Sequence, residues 1–149
     1  MLFSKEPAID DDSQYGRCAN QIIFRFDGTL PKDEADLPGI HVAYVEPPIK
    51  QNPSDRVVTG MKGDTFLEMT FGTWSYGKQG GEGPTSVQGG DKSFVEDLRL
   101  TQNSEGVTTW VADMAGKHAL QVLFNAGTEE CPDLCYIVNL QGSSQNASK

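Results

Sequence analysis

Short runs in which apolar and polar residues alternate, each stopped by glycine, proline or Asp-Gly, recur from residue 21 to residue 140. That period of two belongs to half-buried strands. Gln21–Phe26 alternates and then meets Asp27-Gly28, a strong turn dipeptide. Ile40–Val45 is closed by Glu46-Pro47-Pro48, which cannot continue a sheet ladder. Val57-Val58 is a shorter candidate. Thr65–Phe71 places Leu67, Met69 and Phe71 on one face, and Ser93–Leu100 does the same with Phe94, Glu96, Leu98 and Leu100. Val107–Ala112 is β-branched and aromatic, with Trp110 expected in the core. Ala119–Phe124 aligns Leu120, Val122 and Phe124, and Tyr136–Leu140 closes the series. Seven or eight strands and no helix-length segment define an all-β chain. Two packed antiparallel sheets, a β-sandwich, are the expected architecture, and a small β-barrel is the alternative that periodicity does not separate.

The length of 149 residues fits one domain, and 37% hydrophobic residues are enough for a core. The periodic part runs from 18 to 141. Residues 1–17 are acidic and aperiodic, which reads as a disordered tail or linker, and residues 142–149 read as a flexible C-terminal tail. Asp10-Asp11-Asp12 lacks the spacing of a calcium loop, so solvated carboxylates are expected there. No apolar run approaches the ~20 residues of a spanning helix. Met1-Leu2-Phe3 leads at once into Ser4-Lys5-Glu6-Pro7, with no apolar signal region. That pattern fits either a cytosolic chain or one whose start methionine replaces a removed signal or anchor.

Twelve basic residues are scattered among 21 acidic ones, for a net charge of −9. A nucleic-acid or anionic-lipid ligand draws its affinity from clustered Lys and Arg, so both are excluded as partners. Catalysis has little support. Gly72-Thr73-Trp74-Ser75-Tyr76-Gly77 has the wrong spacing for a nucleophile elbow, and no phosphate-cradling motif occurs. No cofactor is implied. The binding candidate is the segment 72–92, with seven glycines and few large side chains. Such a long loop in a small domain is usually functional or mobile. Its Trp74 and Tyr76 could stack on a sugar face, anchor a protein partner, or cover the sandwich end. Cys131 and Cys135 bracket a turn in which a small disulfide loop could form, and pairing of Cys18 with either is equally open. Neither His41 nor His118 stands at zinc-ligand spacing from them, and His41 is expected to face solvent.

The order of these pieces resembles the AMIN-like domain family of actinobacterial secreted proteins and lipoproteins. Pro38-Gly39-Ile40-His41-Val42-Ala43-Tyr44-Val45-Glu46-Pro47-Pro48 is similar to the family's P-G-Y-x-V-x-Y-V-x-P-P segment. Ile22–Gly28 looks like its opening strand, Gly63–Met69 like a central one, Gly106–Val111 like its Gly-Val-x-x-Trp run, and Tyr136–Leu140 like its closing strand. Ala19-Asn20, Cys135-Tyr136 and Asn139 depart from the family pattern, so no salt bridge between first and last strands is carried over from it, while the apolar pattern is undisturbed. The resemblance implies a β-sandwich of the cell envelope, outside the cell, with no catalytic residues. It implies a role in binding peptidoglycan or another wall polymer. The alternative is an envelope protein–protein adaptor working through an exposed sheet edge.

Overall fold

The computed structural model describes residues 2–3, 7–12, 19–27, 39–51, 54–72, 86–89, 93–104, 107–125 and 134–144. Ten strands run through them: β1 (Leu2–Phe3), β2 (Ala8–Asp12), β3 (Ala19–Asp27), β4 (Ile40–Val45), β5 (Thr65–Gly72), β6 (Ser86–Gln88), β7 (Val95–Ser104), β8 (Val107–Met114), β9 (His118–Asn125) and β10 (Leu134–Ser144). They form two five-stranded sheets. The first has the order β1–β3–β10–β9, with β2 also on the β1 side of β3, and the second runs β4–β5–β8–β7–β6. Every pairing is antiparallel. The two sheets stay separate, so the sandwich is the architecture and the barrel is not.

The alternating residues of both sheets meet in one core, which explains why the runs read as strands. Ile22, Phe24 and Phe26 of β3 and Leu134, Tyr136, Val138 and Leu140 of β10 face Leu67, Met69 and Phe71 of β5, with Trp110, Ala112 and Met114 of β8 beside them. Trp110 is fully buried, as expected. Phe24 meets Phe71 edge-on at 4.8 Å between ring centroids, and Phe26 and Tyr136 complete an aromatic cluster around Phe71. Buried Asn20 ties the sheets together: its side-chain oxygen accepts the Phe94 N–H at 3.0 Å and the Ser93 hydroxyl at 3.2 Å.

Four sequence expectations are corrected. Residues 1–17 do not form a tail throughout, because β1 and β2 both pair with β3. Pro7 is buried, Ile9 packs on the main core and Ala8 on Ile23 and Cys135. Two apolar residues beside three aspartates left no periodicity, yet pairing with β3 satisfies their backbone. At the other end β10 continues to Ser144, past the expected limit at 141, through a bulge that sets Ser144 opposite His118. Within the glycine-rich segment, Ser86–Gln88 forms β6 on β7. Val57 makes only an isolated bridge to Lys50.

The chain crosses from the second sheet to the first in three residues, Ala115 to Lys117, between β8 and β9. Gly116 takes φ +80° there, a left-handed conformation that side chains disfavour. Its N–H donates to Asp64 Oδ1 at 2.9 Å. The short crossing stacks the edge strands β9 and β4 on one side of the sandwich. On the opposite side β2 and β6 come together.

Candidate functional site

Trp74, Tyr76, Cys18 and Cys131 lie outside the described residues. Cys135 is fully buried and disulfide-bonded. His41 is exposed. No group of three or more His, Cys, Asp or Glu residues that could hold a metal ion occurs among the described residues. No described helix is long and apolar enough to cross a membrane.

Buried polar chemistry concentrates at one place, where the 46–64 connection folds over β7 and β8. Asp97 and Asp113 stand opposite each other in the β7–β8 ladder, beside a bulge. Both are buried. Asp113 accepts the backbone N–H groups of Lys62 at 2.7 Å and Gly63 at 2.6 Å. Asp97 Oδ2 accepts the Arg99 Nε–H at 2.6 Å, and the same guanidinium donates to the carbonyls of Thr59 and Gly60. Gly63 is required for this approach, since a Cβ there would sit 2.3 Å from Asp113 Oδ1 and from the Met114 carbonyl. Burial pushes the Asp113 carboxyl above the ordinary carboxylate range. The Lys62 and Gly63 hydrogen bonds oppose that rise, and the neighbouring charge and contact of Asp97 add to it. Asp97 Oδ1 is buried without a hydrogen-bond partner among the described residues. Two carboxylates committed to backbone N–H groups and to an arginine make a latch for a loop.

The exposed apolar surface lies elsewhere, on β9. Among the described residues this strand is the outer strand of the first sheet and pairs only with β10. Its start is fixed firmly. His118 is buried and stacks on Phe94, 3.8 Å between ring centroids. The His118 ring nitrogens lie against two carbonyls, Nδ1 at 2.8 Å from Gln141 O and Nε2 at 2.9 Å from Ala115 O. The His118 N–H donates to Tyr44 Oη at 2.9 Å, and the Tyr44 hydroxyl donates to the His118 carbonyl. Burial raises the pKa of this phenol, and the hydrogen bond with the His118 backbone works the other way. Lys117 Nζ stands 5.1 Å from the Tyr44 ring centroid.

Beyond Leu120 the inner face of β9 opens to solvent. Val122 is 37% exposed and Phe124 51%, although both sit on the core-facing side, opposite the buried Val138 and Tyr136. Leu123, on the outer face, is 39% exposed. It ends a row of apolar residues that crosses the whole first sheet, Ala8–Ile23–Ile137–Leu123. Isolated exposed hydrophobes mean little, but three in succession on a sheet edge form a patch.

Edge strands are normally blunted by charge, proline or a bulge. From His118 to Asn125 the sequence has no Asp, Glu, Lys, Arg, Pro or Gly, and β4 beside it, Ile40–Val45, has none either. β2 on the opposite side carries Asp10, Asp11 and Asp12. Among the described outer strands the acidic residues are therefore concentrated in β2, and β9 combines absence of charge with exposed apolar residues. Sequence periodicity assigns Val122 and Phe124 to the core and misses this surface. The available signal was the uncharged run of eight residues in a chain of which 22% is charged.

Comparison of the chain with protein-family models, with curated proteins and with solved structures yields no match.

Proposed function

We propose that this domain is a non-catalytic binding module that holds another polypeptide by adding its extended strand to β9. The observation that carries this reading is the run Val122, Leu123 and Phe124, exposed on an edge strand without charge or proline. Strand addition supplies main-chain hydrogen bonds, and the side chains on either face set the preference for the added strand. The test is a selection of extended peptides on the immobilised domain. Selected peptides are expected to slow hydrogen exchange of the β9 amides and to bind Leu123→Lys at least about tenfold more weakly, the fold equivalent of one lost anchor. Peptides that bind both proteins equally and leave β9 exchange unchanged would refute it.

A second reading, recognition of peptidoglycan or another wall polymer, is favoured by the aromatic end of the sandwich. β5 ends at Gly72, where Phe26, Phe71, Tyr136 and Phe124 gather, and the segment with Trp74 and Tyr76 departs from that point. The AMIN-like resemblance supports the same envelope setting. Retention on purified, enzyme-free cell wall, reduced by Trp74→Ala and Tyr76→Ala, is the expected result. Absence of retention at every ionic strength eliminates it.

A further inference from the structure

The free edge of β9 also has the right pattern to recognise itself. We propose that the strand added to β9 is β9 of a second copy, paired antiparallel about a two-fold axis through Leu123; this rests on the strand-addition reading above. In that register Leu123 falls opposite the partner's Leu123 on the outer face. The apolar row Ala8–Ile23–Ile137–Leu123 then continues unbroken into the second copy. On the inner face Val122 falls opposite the partner's Phe124, and Phe124 opposite the partner's Val122, so the two exposed inner residues cover each other. Gln121 falls opposite the partner's Asn125, so two uncharged polar residue types share that register position. Each position from 121 to 125 therefore meets its own kind, which an isologous contact requires. Centring the pair on Val122 instead sets Gln121 against the partner's Leu123 and loses this match.

Charge and apolar exposure together select the same edge. Two copies of a chain with net charge −9 repel each other, and they can approach only where no carboxylate meets a carboxylate. The outer strands β9, β4, β6 and β1 carry none, whereas the sequence of β2 holds three aspartates, and of the uncharged strands β9 is the one with a run of exposed large apolar residues. An unrelated basic partner would instead favour β2.

One strand pair buries less than the roughly 1,200 Å² of stable complexes, so the dimer is expected to be weak, with Kd of about 100 µM or higher at low salt. Raising salt from about 0.1 to about 1 M shortens the screening length from roughly 10 to roughly 3 Å, which relieves the repulsion. Sedimentation equilibrium on the full chain is therefore expected to show a monomer–dimer equilibrium that tightens several-fold over that range. Leu123→Lys places like charges face to face on the axis and is expected to leave only monomer. Leu123→Cys is expected to give a disulfide-linked dimer on mild oxidation, because directly opposed strand residues lie within disulfide reach. Gln121→Cys is not, and the wild type with its own odd cysteine is the control. A wild type that stays monomeric at millimolar concentration in high salt overturns the proposal, as does a dimer indifferent to Leu123→Lys. So does equal crosslinking of Gln121→Cys. If the protein is monomeric while selected peptides still protect the β9 amides, strand addition stands and only the second copy is wrong. If neither protection nor dimer occurs, both fall.

Discussion

Asp97 and Asp113 show how individual residues reached positions that their own chemistry does not announce. Aspartate in a strand is disfavoured, and two of them opposed and buried are costly unless their oxygens are used. Here Asp113 takes two backbone N–H groups and Asp97 takes Arg99, so the pair fastens the 46–64 connection. The folded-state pKa of Asp113 is raised, so the native state holds a proton that the unfolded chain releases. Stability from this group is then full at pH below the unfolded carboxylate value of about 3.9 and falls as pH rises through the raised folded value. Burial is the main cause of the rise and the Asp97 charge a lesser one, so Asp97→Asn is expected to lessen the loss of stability between pH 4 and neutrality without abolishing it, on top of a pH-independent cost from the weakened Arg99 contact. Thermal unfolding of both proteins from pH 4 to 8 checks it; parallel curves would show that the Asp97 charge does not act on Asp113. None of this was legible in the sequence, where the two aspartates are separated by a hairpin and look like solvated strand residues.

Among the elements, β9 differs most from its sequence pattern. Leu120, Val122 and Phe124 alternate as a core strand should, yet only Leu120 packs on the core. The strand is held at its start by Tyr44 and His118 and by the three-residue crossing at Gly116. Tyr44→Phe deletes both hydrogen bonds to the His118 backbone and is expected to cost about 1–2 kcal/mol. Denaturant titration measures that cost, and faster exchange of the first β9 amides than of the β8 amides locates it. An equal effect on both strands would mean that Tyr44 acts only through the core. The neighbouring strands β5, β8 and β10 were legible because both their partners and their opposite sheet are present. β2 was not, because a short edge strand draws its order from the ladder of β3 and not from its own apolar content.

For the whole molecule, the two sheets share one aromatic and aliphatic core, while their outer strands differ, β2 rich in aspartate and β9 uncharged with exposed apolar residues. Deleting residues 1–12 removes β1 and β2 and opens the edge of β3, where Ile22 and Ile23 lie. The truncated chain is expected to unfold at lower temperature and to aggregate. Unchanged Tm and solubility would show that the N-terminal strands add nothing to the fold. The sequence alone determined the all-β class, the position of most central strands and the core role of Trp110, because burial imposes a period of two wherever one face of a sheet is covered; the tertiary structure decided for two packed sheets over a barrel. Tertiary structure decided which strands are edges, which aspartates meet and which alternating residues go uncovered. Those depend on neighbours distant in the chain, and local pattern carries no record of a neighbour that is missing.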